Sequence, residues 1–187
     1  MQSILVDENT ATITLRTRAE GLLARLAHDL EITGTGVSGQ VTLDGDAWTA
    51  DLSMPIASLR VAGALHGDEL DRSTLSASDR AQIEEKMRAD VFFGGARVVT
   101  VRAHGASLTA GEATISIGSR SQRVAITVSA APLLDAAPRP TGRFTLSLEK
   151  LGVKPIKGPL GAFRIKDAVE VSFAIPLRAE PDRERRD

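Results

Sequence analysis

From Phe163 to Leu177 apolar and polar residues alternate. Phe163, Ile165, Val169, Val171, Phe173, Ile175 and Leu177 hold odd positions, with Arg164, Lys166, Glu170 and Ser172 at even ones. A period of two sends successive side chains to opposite faces of an extended chain, so the stretch predicts a strand with one apolar and one wetted face. The same alternation recurs upstream at Ile13 and Leu15, Val41 and Leu43, Leu52, Met54 and Ile56, and Val99 and Val101. It continues at Ile115 and Ile117, Val124, Ile126 and Val128, and Phe144, Leu146 and Leu148. About eight short strands separated by turn residues predict a mainly β fold, an antiparallel meander closed into a barrel or folded as a sandwich.

Two stretches break the period. SASDRAQIEEKMRAD (76–90) predicts a helix: Ser76 or Ser78 can cap it, acidic residues occupy its early turns, and Ile83 and Met87 lie four apart on one face. In AEGLLARLAHDL (19–30) Leu22, Leu23 and Leu26 recur at helical spacing, which predicts a short helix or an irregular entry. Between the last two strands, LGVKPIKGPLGAF (151–163) is too rich in Gly and Pro for a helix and reads as a long basic loop. Residues 132–140, PLLDAAPRP, read as a stiff connector, and 179–187 as a charged tail following a single domain over 1–178.

Composition narrows the function. A formal net charge of -1 gives no field that would draw in nucleic acid, and an aromatic content of 3% leaves almost no platform for stacking bases. With no cysteine there is no disulfide and no thiolate chemistry. No stretch approaches the ~20 apolar residues of a membrane span. The start of the chain lacks a basic head followed by an apolar run, so the expected location is cytoplasmic, or periplasmic if a leader has been removed.

A barrel of about eight strands either fills its interior with side chains or holds one small ligand. The candidate inward residues are mostly aliphatic: Leu43, Leu52, Met54, Met87, Val99, Val101, Ile115, Ile126, Leu146 and Val171, with Phe92, Phe144, Phe163 and Phe173. They leave a packed core and an apolar channel both open. A channel of this kind suits a long hydrocarbon chain, whose burial is worth ~0.8 kcal/mol per methylene without directional contacts.

The polar motifs carry little chemistry of their own. GTGVSG (34–39) has the glycine spacing of a dinucleotide loop, but the strand-like QVTLDG follows it where a helix would be needed, so it reads as a bend. His28 with Asp29 has the composition of a base and its orienting carboxylate, and His66 with Asp68 and Glu69 that of a metal site. Structural or surface roles are the simpler account of these and of His104. Asp167 falls on the oily parity, as a turn that resets the register or as a polar contact at the end of a pocket. Lys154, Lys157 and Arg164 cluster around the long loop, as solvated charges or as the seat of a polar head group. Nucleophile elbows, phosphate loops and paired carboxylates at catalytic spacing are not evident.

The run G-x-F-x-L (142–146), LGVKPIKGPLG (151–161) and RIKDAVEVSF (164–173) resembles the C-terminal signature of the YceI-like proteins, bacterial lipocalin-like barrels that bind polyisoprenoid chains. AHDLEITG (27–34) is similar to that family's early His-containing segment, and D-R-x-x-I (79–83) to the helix that feeds VFF (91–93), so the likeness spans Ile13 to Phe173. It implies an extended antiparallel lipocalin-like barrel that binds or carries an isoprenoid quinone, a polyprenyl chain or a similar amphiphile in its apolar channel, without catalysis. In that frame His28, Lys157, Arg164 and Asp167 are candidates for the mouth, and no cofactor or metal is expected beyond a bound isoprenoid lipid. Open barrel edges or a swapped hairpin would allow a homodimer. The alternatives are a small enzyme using His28 with Asp29, or Asp167, and a packed barrel serving only as an interaction module.

Overall fold

The computed structural model describes residues 1–21, 27–92, 95–129, 139–158 and 163–178. The elements in chain order are β1 (Gln2–Val6), β2 (Thr12–Thr17), β3 (Ala19–Glu20), β4 (Asp29–Gly34), β5 (Ser38–Asp44), β6 (Ala47–Pro55), β7 (Arg60–His66) and β8 (Glu69–Asp71). They continue with α1 (Ala77–Asp90), β9 (Val98–Ser107), β10 (Ala110–Ile117), β11 (Arg120–Ser129), β12 (Thr141–Ser147), β13 (Arg164–Ile165), β14 (Ala168–Ala174) and β15 (Leu177–Arg178). A 13-stranded sheet runs β15-β1-β5-β6-β9-β10-β11-β12-β14-β2-β4-β7-β8, and β13 pairs with β3 apart from it. The ladders are antiparallel throughout, as the alternating sequence requires. The sheet curls around one core, and its two edge strands are not hydrogen-bonded to each other among the described residues.

Local chemistry sets the hairpins. The β5–β6 and β10–β11 connections have two residues each, and Gly45 (φ 64) and Gly118 (φ 60) supply the left-handed conformation that such turns need. The GTGVSG stretch is the bend from β4 into β5, with no helix at its end.

The register orders the interior into cross-strand rows. Val41, Ala50, Ala103, Ala113 and Val124 lie side by side and are all buried. One row further on stand Leu52, Val101, Ile115 and Gln122; the next holds Met54, Val99 and Ile117. In the opposite direction Leu43 faces Trp48, Trp48 faces Gly105, and Gly111 faces Ile126. A Cβ on Gly105 or Gly111 would meet the indole at 2.5 or 2.6 Å, so these glycines make the space that the ring occupies. The Trp48 ring nitrogen donates to the Ser107 carbonyl at 2.8 Å.

α1 begins with a capping box: the Ser76 hydroxyl accepts from the Asp79 N–H, and the Asp79 carboxylate accepts from the Ser76 N–H. These bonds, from the Ser76 side chain first and its backbone second, hold the Asp79 carboxyl below its ordinary value. The helix contains no fully buried residue and lies along β7. Its fixed point is Glu84, whose carboxylate accepts the Val61 N–H at 2.9 Å, beside a register shift in the β4–β7 ladder.

The structure corrects the sequence reading in several places. The alternation from Phe163 to Leu177 is not one strand: besides the turn at Lys166-Asp167, which is one of the two readings given for Asp167, it breaks again after Ala174. β1, β4 and β7 were not among the expected strands. Ala19–Glu20 and Asp29–Leu30 are extended rather than helical, while the Leu22, Leu23 and Leu26 core of that expected helix lies outside the described residues, as do 132–138 of the connector and the tail.

Two stability measurements test this account. Glu84→Ala leaves the Val61 N–H without its partner and should cost about 1–3 kcal/mol in urea unfolding. Gly142→Ala should cost a similar ~1–3 kcal/mol, because its Cβ would stand 2.3 Å from the Phe173 ring and from the Thr127 carbonyl. A midpoint unchanged from wild type in either variant would count against the contact assigned to it.

Candidate functional site

The rows beyond the alanines do not meet across the interior. They enclose a cavity of ≈ 760 Å³, inside the ~300–1,000 Å³ range of small-molecule sites. The sheet supplies Ile13 and Leu15 on β2, Leu30 and Ile32 on β4, Leu52 and Met54 on β6, Val99 and Val101 on β9, and Ile115 and Ile117 on β10. Phe144 and Leu146 on β12, with Val169 and Val171 on β14, complete the barrel side. α1 and the residues after it add Ile83, Lys86, Met87, Val91 and Phe92, so the helix is one wall. The long basic loop and its flanks add Leu148, Leu151, Ile156, Lys157, Gly158, Phe163 and Ile165.

Of the residues expected in the channel, Leu52, Met54, Met87, Phe92, Val99, Val101, Ile115, Phe144, Leu146, Phe163 and Val171 line this cavity. Leu43, Ile126 and Phe173 do not, and each has a physical reason. Leu43 and Ile126 belong to the Trp48 row, on the far side of the buried alanines, where the indole lies over Gly105 and Gly111. Phe173 is laid over Gly142 and against Phe144, with ring centroids 6.4 Å apart, and so packs into the wall. Period-two reasoning assigns the face of a strand correctly but not the depth, and depth separates these residues from the others.

Of the expected mouth residues, His28 and Lys157 border the cavity, while Arg164 and Asp167 do not. The Arg164 guanidinium donates to Glu20, across the β13–β3 pair. Asp167 is exposed and closes a turn: its carboxylate accepts the Glu149 N–H at 2.7 Å and its carbonyl the Leu148 N–H at 3.0 Å. This is the register-resetting role. Sequence reading missed Lys86, which lies on the same helical face as Ile83 and is the remaining basic residue of the lining.

The polar constellations are held by structural contacts. Asp29 accepts the Ala19 N–H at 2.7 Å and a bond from Arg18 at 3.3 Å, so its carboxylate anchors the β3–β4 region instead of orienting His28. Arg18 also donates to Asp68, and this bond, ahead of the one to Asp29, raises the guanidinium above its ordinary value against a smaller opposing effect of burial. His66 stands 3.5 Å from Asp71, largely exposed. Among the described residues no group of three or more His, Asp or Glu side chains is placed to hold a metal ion, and no helix is long and apolar enough to cross a membrane.

No family model and no curated protein sequence matches the chain. Solved structures do match it in fold. Against BcnA of Burkholderia cenocepacia the TM-score is 0.64 at 14% identity, over 93% of this chain and 99% of that one. Against a polyisoprenoid binding domain from Saccharophagus degradans, implicated in plant cell wall breakdown, it is 0.63 at 10% identity, over 96% of this chain and all (100%) of the other. The likeness runs over nearly the whole of each chain and shows the fold: this chain shares the antiparallel β-fold of these two proteins.

Proposed function

We propose that this protein binds a long-chain lipid of isoprenoid type, an isoprenoid quinone or a polyprenyl chain, and carries it without converting it. The observation that carries the reading is the cavity of ≈ 760 Å³ walled by Leu, Ile, Val, Met and Phe side chains. Such a wall offers a hydrocarbon burial at ~0.8 kcal/mol per methylene and offers a reacting group almost nothing. The fold shared with a polyisoprenoid binding domain supports the same reading. So does the engagement of Asp29 and Asp167 in backbone contacts, which gives both candidate carboxylates structural roles.

Purified protein extracted with organic solvent should release a long-chain lipid in about one-to-one ratio, identified by mass spectrometry. Protein that is lipid-free and also rejects added quinone and polyprenol would overturn the proposal.

Substitution inside the cavity gives a second test. Val101→Trp points a large ring into open space and should change folding stability by less than ~1 kcal/mol while displacing the lipid. Ala113→Leu, at a position of the closed row that is itself 2% exposed, should cost about 1–3 kcal/mol by overpacking. Equal stability losses in the two variants would mean that the interior is filled at both levels.

A further inference from the structure

The wall of the cavity has a split. β11 and β12 are paired only at Thr127–Arg143, Val128–Gly142 and Ser129–Thr141, although β11 begins at Arg120 and β12 runs on to Ser147. Past Arg143 the strands are bridged by a side chain: Gln122, 9% exposed, accepts the Ser147 N–H on its Oε1 at 3.1 Å. Outside the split lies a groove of ≈ 970 Å³. Its lining includes the inward-facing Gln122 and Val124 of β11 as well as the outward-facing Arg123 and Ala125, so it reaches through the sheet. Phe144 and Val171 border this groove and the apolar cavity alike, and form the partition between them.

The groove is polar and carries an excess of positive charge. Its ionised residues are Arg16, Arg123, Arg143, Lys150, Glu31 and Glu170. Arg16 holds Glu31 at 2.9 Å and stands opposite Glu170 in the ladder, so these acids are answered within the sheet. Arg123 reaches out to Glu112 at 3.2 Å. Arg143 and Lys150 have no acidic partner among the described residues, and Arg143 stands where the ladder ends, one residue from Phe144 and on the opposite face.

We propose that the β11–β12 split is a lateral opening of the lipid cavity, and that the groove outside it seats an anionic head group, a phosphate or a carboxylate, on Arg143 and Lys150. The apolar chain then passes Phe144 into the interior. The proposal rests on the reading of the cavity as a lipid site and adds to it the charge and the position of the ligand's polar end. Guanidinium and ammonium groups suit such an oxyanion because they donate charge-assisted hydrogen bonds without an acceptor of their own to be left unpaired.

Farnesyl phosphate and farnesol, which share one chain and differ in charge, are the probes, titrated calorimetrically into the full chain. The phosphate should bind about tenfold more tightly, an advantage that shrinks as salt is raised. Arg143→Glu should abolish the advantage and leave farnesol binding unchanged. Arg143→Gln should reduce it, and Arg102→Glu, at an exposed residue that lines neither the cavity nor the groove, should leave it intact. Thermal unfolding of each variant establishes that the comparison is between folded proteins. Equal affinity for the two probes, or an advantage that survives in Arg143→Glu, overturns this proposal and leaves the cavity reading standing. Failure of both probes to bind overturns the two together.

Discussion

A curled antiparallel sheet has to settle what stands at each level of its interior, and here the ladder register settles it. Trp48, the sole tryptophan, is delivered inward at one level, with Gly105 and Gly111 clearing the space for its ring. The next level closes over small side chains at Ala50, Ala103 and Ala113. Beyond these the inward residues of β6, β9 and β10 are Leu, Met, Val and Ile, which do not meet across the interior. The cavity therefore begins past the alanine row of these strands, and its position is a property of the pairing rather than of any single residue.

The sheet alone does not enclose that cavity. β7 is buried over Val61–Leu65, one face toward the core and the other beneath α1, which is why it shows no clean alternation. The helix itself buries no residue fully, and the Glu84 carboxylate on the Val61 N–H ties it to β7. Opposite constraints act at β11 and β12, where the ladder lapses and Gln122 replaces main-chain bonds with a side-chain one. A buried amide in an otherwise aliphatic row would be costly unless bonded; the Ser147 N–H supplies that bond and keeps the split narrow.

Much of this was legible in the sequence. The β class, the helix with its Ser76 cap and most of the wall residues follow from spacing and composition. What was illegible shares one cause, which is that a face can be read from parity whereas a partner strand cannot. Leu43 and Ile126 have the parity of wall residues and are excluded by a tryptophan on other strands. Phe173 is turned away by a glycine across the ladder, whereas the turn at Asp167 was announced by a charge on the oily parity. β1 went unseen because QSILV is short, and β7 because RVAGALH is apolar on both faces. Lys86 was hidden among the charges of an exposed-looking helix, and only its place beside Ile83 and Met87 marks it as part of the wall.

The level of Trp48 also acts as a ruler. A strand advances ~3.4 Å per residue and returns to the same face every second residue, so an inward ring can be relocated only in steps of ~6.8 Å. The placing of the ring along the interior is thus quantised by the pleat. A large ring one inward position earlier or later would shift this level by that fixed increment, with the rest of the wall unchanged.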